Sequence, residues 1–132
     1  MESQGQAALW NFDGAQLQLI FEIKADFLSR LREWDLDNAY WRLRDLATEL
    51  DAKLFRNFKE LETNKEIKAT ERMLAELETE RNDYSKNPLD KQVASKFYLY
   101  LEAYYKYLNR LMKKHGLYFR EGEDPRKAIL QR

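Results

Sequence analysis

The chain has 132 residues, of which 44% are hydrophobic and 35% charged, and its 23 basic side chains balance 23 acidic ones. That length suits one domain with a modest core, and the balanced charge argues against wholesale disorder. The absence of cysteine excludes a disulfide scaffold, a thiolate zinc site and a cysteine nucleophile.

The opening residues Met1 to Gln6 carry no basic stretch followed by an apolar run, so no signal peptide is expected. No stretch reaches 18 apolar residues without charge, so no span of a bilayer is expected either. The expected location is cytoplasmic. Two prolines and four glycines leave little punctuation, which predicts a mostly helical chain.

Leu9, Trp10 and Phe12 are apolar anchors in a polar start, and Asp13 is placed to cap a first helix. Leu17, Ile20, Phe21, Lys24, Leu28 and Leu31 then recur at intervals of three and four, with Ile23 and Phe27 widening the stripe. This pattern predicts an amphipathic helix of about five turns. Asp35 and Asp37 are caps for a second helix, and Trp34 is placed to staple the junction. The second stripe is Leu36, Tyr40, Leu43, Ala47, Leu50 and Leu54, broadened by Trp41, Leu46, Phe55, Phe58 and Leu61. Its alternation of fours and threes suits lengthwise packing.

Thr63 and Glu66 match a capping box, which predicts the start of a third helix. Its stripe is the leanest: Ile67, Met73, Leu74, Leu77 and Tyr84. The region from Phe58 to Asn64 lacks glycine and proline, so one long bent rod is the alternative to two helices. The phase break after Leu61 favours two. Asn87-Pro88 marks the next boundary, with Asn87 as cap, Pro88 at the first helical position and Asp90 in the first turn. The fourth stripe is Val93, Phe97, Tyr100, Leu101, Tyr104, Leu108, Leu111 and Met112, and Gly116 ends it after Lys113, Lys114 and His115. The predicted fold is all-α, a small antiparallel bundle of four helices with short connections. Residues 1–119 form one domain and residues 120–132 a C-terminal tail.

Catalytic furniture is sparse. The single histidine, His115, ends a basic run at a predicted helix terminus, where the dipole favours its charged form. Nothing reads Glu-x-x-His, the di-iron pattern of bundles. No phosphate-binding glycine loop and no Gly-x-Ser-x-Gly elbow occurs. The pairs Glu22/Asp26 and Asp45/Glu49 are each four apart, as a metal-dependent phosphate hydrolase would need if a further acid joined them. Arg30, Arg42 and Lys53 stand at helical spacing from these acids, so surface ion pairing is the simpler reading. No enzyme activity, no cofactor and no metal are expected.

Two features point instead to contacts. Phe97, Tyr98, Tyr100, Tyr104, Tyr105 and Tyr107 crowd the fourth helix around much of its circumference. That surplus marks either the central helix of the domain or a flank that meets a partner. Charge is also polarised: residues 1–86 hold 18 acids against 13 bases, and residues 87–132 hold 5 acids against 10 bases. Such polarity suits head-to-tail or complementary pairing. The expected function is therefore a non-enzymatic interaction or assembly protein, of the kind found as phage or mobile-element accessories. It would act on a protein partner or on itself, as a homo-oligomer, through Trp10, Trp41, Tyr98 or Tyr105. The alternative is a nucleic-acid-associated protein using Lys106, Arg110, Lys113, Lys114 and Arg120 against phosphates.

Overall fold

A computed structural model describes residues 14–50 and 61–114. Within them lie four helices and no strand: α1 (Gly14–Arg32), α2 (Leu36–Leu50), α3 (Leu61–Lys86) and α4 (Lys91–Lys114). The all-α bundle expected from the hydrophobic periodicity is what forms. Cross-helix pairs fix the directions. Asp26 and Arg42 join α1 to α2, while Asp37–Arg81 and Arg44–Glu78 run α2 against α3. Glu66–Lys114 and Glu80–Lys96 run α3 against α4, and Phe27–Tyr105 with Trp34–Tyr98 run α4 against α1. Each helix therefore runs antiparallel to the one before it in the chain. Because α2 and α3 lie antiparallel, they are two helices and not one rod.

The core is a single cluster. Ile20, Ile23, Phe27 and Leu31 enter it from α1, and Leu36, Ala39, Tyr40, Leu43, Leu46 and Leu50 from α2. The inward face of α1 is thus centred on the Ile23–Phe27 line, which the spacing alone placed at the margin of the stripe. From α4 come Ala94, Phe97, Leu101, Tyr104, Tyr105, Leu108, Leu111 and Met112. The aromatic crowding of α4 is explained by its position. Its rings meet all three other helices: Phe27 on α1, Tyr40 on α2 and Tyr84 on α3.

The α3 stripe is lean because polar residues hold core positions. Glu66, Thr70, Met73, Leu77, Glu80 and Tyr84 repeat at four, three, four, three, four, and Glu66, Thr70 and Glu80 are buried. Each is answered chemically. Thr70 Oγ1 donates to the Glu66 carbonyl at 2.7 Å. Lys114 Nζ donates to Glu66 Oε2 at 2.8 Å, and Lys96 Nζ lies 3.4 Å from Glu80 Oε2. The two lysines strap α4 to α3 near both ends. Thr63 and Glu66 both lie inside α3, so the helix does not begin at Thr63 as the capping-box pattern predicts.

The turn between α1 and α2 closes as a Schellman motif. The Asp35 amide donates to the Arg30 carbonyl at 2.8 Å, and the Trp34 amide to the Leu31 carbonyl at 3.1 Å. Trp34 takes the left-handed position, φ 61°, which a glycine normally occupies. The conformation costs a bulky residue about 1–2 kcal/mol. The ring then stacks on Tyr98, centroids 5.0 Å apart and planes 16° apart, and such a pair is worth about 0.5–1.5 kcal/mol. The staple expected of Trp34 is therefore made to α4. At the other turn the cap is Asp90, not Asn87. Asp90 Oδ1 accepts from the amides of Gln92 at 2.9 Å and Val93 at 3.2 Å. Asn87 instead opens a β-turn, its carbonyl accepting from the Asp90 amide at 3.1 Å, with Pro88 at the second position where its fixed φ fits.

Burial pushes the Lys24 ammonium on α1 from 10.5 down to about 8. The folded chain then binds fewer protons than the unfolded chain between about pH 8 and pH 10.5, so stability rises with pH across that window. Below it the full penalty applies. The stability of Lys24→Met relative to the wild type is expected to fall as the pH rises from about 8 towards 10.5. Thermal melts of both proteins along the pH series check this. A difference between the two proteins that stays constant across that window, or that moves in favour of Lys24→Met, contradicts it.

Candidate functional site

The outer face of α2 and α3 carries the most built surface feature of the described residues. Trp41 stands on α2 with 46% of its surface exposed, yet it is not loose. Its ring meets Tyr40 edge-on at 5.1 Å. The Arg44 and Arg81 guanidinium carbons lie 5.8 and 5.0 Å from its centroid. Each arginine is held in turn. Arg44 Nη1 donates to Tyr40 Oη at 3.2 Å and lies 3.9 Å from Glu78, and Arg81 Nε donates to Asp37 Oδ1 at 2.9 Å. Hydrogen bonding to Tyr40 is the main reason the Arg44 guanidinium titrates above its usual value. The exposed indole is therefore fixed by neighbours on two rigid helices.

A cleft of about 230 Å³ opens beside it, between α2 and α3. Ala47, Ile67, Leu74 and Tyr104 supply its apolar walls, and Arg44, Thr48, Thr70 and Glu71 the polar ones. Arg44 thus borders both the cleft and the Trp41 ring. The face joins a fixed aromatic projection to a concavity suited to one large side chain, with both signs of charge around it.

The other residues singled out by sequence are distributed elsewhere. Tyr105 is buried and stacks on Phe27 at 4.7 Å, so it belongs to the core and not to a contact surface. Tyr98 is half-buried beneath Trp34. Trp10, Arg120 and His115 lie outside the described residues, as do Asp13, residues 51–60 and the proposed tail. Lys106, Arg110 and Lys113 are exposed on α4. Lys106 lies 3.7 Å from Glu102, and Arg110 covers the Tyr107 ring at 5.9 Å. Lys114 is committed to Glu66. The basic end is thus partly engaged within the fold.

One acid of each pair, Asp26 and Asp45, meets Arg42. Asp26 accepts from Arg42 Nε at 2.7 Å and from Arg30 Nε at 2.9 Å, and those bonds hold its carboxyl below the ordinary carboxylate range. Arg42 also donates to Asp45 at 3.0 Å, and Glu22 accepts from Gln18 at 3.3 Å. Among the described residues no three of His, Cys, Asp and Glu come together as a metal site. No helix of the described residues is long and apolar enough to cross a membrane.

Sequence reasoning singled out Trp41 but not the arginines or the cleft. Arg44 and Arg81 are 37 positions apart, and only the antiparallel run of α2 and α3 brings them to one ring. The chain matches no family model, no curated protein and no solved structure.

Proposed function

We propose that this chain is a helical assembly protein that works through protein–protein contacts made by the α2–α3 face. One observation carries the reading: a half-exposed tryptophan is fixed between two arginines and over a tyrosine, next to a partly apolar cleft. Trp, Tyr and Arg are the residue types that dominate binding energy at protein interfaces. A side chain already held in place loses little entropy on binding, so more of the contact energy survives as affinity. Among the described residues the core cluster does not include Trp41.

The test is solution mass by light scattering after gel filtration, over a tenfold concentration range and at low and high salt. A mass above the 16.0 kDa of one chain is expected. It should persist at high salt, because an aromatic contact is screened far less than surface charge. A 16.0 kDa species throughout contradicts self-assembly.

A further inference from the structure

We infer that α3 is a releasable helix, which opens as a unit while α1, α2 and α4 stay packed. At 26 residues it is the longest helix among the described residues. Yet among the described side chains Leu77 is its one member of the core cluster. Ile67, Met73, Leu74 and Tyr84 reach that core only partly buried. The rest of the cluster comes from α1, α2 and α4, which bury their apolar surface largely on one another. Phe27 of α1 stacks on Tyr105 of α4, and Tyr40 of α2 meets Phe97 of α4, with no help from α3. The packing of α3 against α2 is also open. A cleft of about 230 Å³ lies between Ala47 on one side and Ile67 and Leu74 on the other.

The ties that α3 does make across the bundle are mostly charged. Arg44–Glu78 and Arg81–Asp37 join it to α2, and Lys96–Glu80 and Lys114–Glu66 join it to α4. In each pair one partner is about half exposed, so water and salt reach the contact. Apolar burial is the main favourable term in folding, and a segment that has little of it opens at lower free energy than the core. Opening also returns Glu66, Thr70 and Glu80, all buried in the closed state, to water. A helix alone in water is marginal, so a released α3 frays and its amides exchange. Release takes Arg81 away from the Trp41 and Tyr40 rings and Tyr84 away from Phe97. The contact face then exists only while α3 is closed. That consequence rests on the assembly reading, whereas the release itself does not.

The test is amide hydrogen exchange of the full chain, read as the rate in residues 67–84 of α3 relative to that in residues 97–108 of α4. It is run at about 0.1 M and about 1 M salt, between which the screening length falls from about 10 Å to about 3 Å. The second protein is the double variant Thr70→Leu with Glu80→Leu. It makes two buried polar positions of the stripe apolar and leaves Lys96, already 59% exposed, to water. Helical content confirms that both proteins fold. In the wild type α3 is expected to exchange at least about tenfold faster than α4. High salt should raise that ratio at least about twofold, and the double variant should lower it at least about fivefold. Equal protection of α3 and α4 in the wild type overturns the release. A ratio that salt leaves unchanged, or that the variant fails to lower, overturns its assignment to the polar stripe and its ion pairs. Solution mass decides the assembly reading separately: a one-chain mass with fast exchange in α3 keeps the release and removes its link to a contact face.

Discussion

Phe97→Ala is expected to remove about 3–5 kcal/mol of folding stability, the range for deleting a fully buried ring. Phe97 has no exposed surface, and its ring lies 6.1 Å from that of Tyr40 and 5.2 Å from that of Tyr84. Three helices meet at this one side chain. Truncation leaves a cavity bordered by two rings that are themselves tethered: Tyr40 donates no freedom because Arg44 and Arg81 lie over it. The surroundings therefore collapse poorly, and the cost falls towards the upper end. Phe97→Leu keeps most of the volume and should cost less than about 1.5 kcal/mol. Urea unfolding measures both, as a shift in midpoint at constant slope. A loss below about 1 kcal/mol in Phe97→Ala contradicts the central placement of α4.

The second large effect concerns the buried acid on α3. Lys114→Met removes the cation 2.8 Å from Glu66, whose side chain is only 10% exposed. Breaking a fully buried pair costs about 3–5 kcal/mol. Lys114 is 47% exposed, so water screens part of the interaction and about 2 kcal/mol is expected. The double variant Glu66→Met with Lys114→Met leaves no buried charge at that place. It should recover most of the loss, because apolar replacement of a buried pair is often neutral or better. Denaturant melts of the two single variants and the double variant form the cycle. Strict additivity of the two changes contradicts the strap. An interaction of at least about 1 kcal/mol supports it.

These two results bear on different parts of the sequence's legibility. The core of α2 and α4 was readable, because Leu36, Tyr40, Leu43, Phe97, Leu101 and Leu108 repeat at helical spacing and are apolar. The bend at residues 87–90 was readable from Asn87-Pro88, but its cap was not. Pro88 fits both a first helical turn and the second position of a β-turn, and only the backbone distinguishes them. The face of α3 was hidden for another reason. Periodicity was sought among apolar residues, and Glu66, Thr70 and Glu80 occupy the same register as Met73, Leu77 and Tyr84. The partners of the Glu80 and Glu66 carboxylates come from α4, 16 and 48 residues away, beyond any local pattern. Counting the four-three spacing without regard to polarity would have found the stripe.

The contact surface was half legible. Trp41 stood out as one aromatic among the residues broadening the α2 stripe, yet a tryptophan there fits a core as well as a surface. Tyr105 illustrates the opposite outcome: the sequence left it between a central-helix core and a partner-facing flank, and the fold buries it against Phe27. The difference lies in the flank each ring occupies. Tyr105 sits on the side of α4 that meets α1, whereas Trp41 sits on the outer arc of α2, in solvent. Trp34 was legible as a junction residue, but its left-handed backbone was not, because glycine is the residue that usually marks that position.

The account turns on whether the outer arc of α2 meets a second copy, and a thiol crosslink tests that most directly. The chain has no cysteine, so Asp45→Cys carries the sole thiol, on the exposed outer arc of α2. Lys106→Cys is the control: position 106 lies nine residues beyond Phe97, half a turn round α4 from the ring that faces α2. With a short bis-maleimide, Asp45→Cys is predicted to give a covalent product of two chains while Lys106→Cys stays a single chain. Equal crosslinking of the two, or none with Asp45→Cys at concentrations where the mass exceeds one chain, would contradict the account.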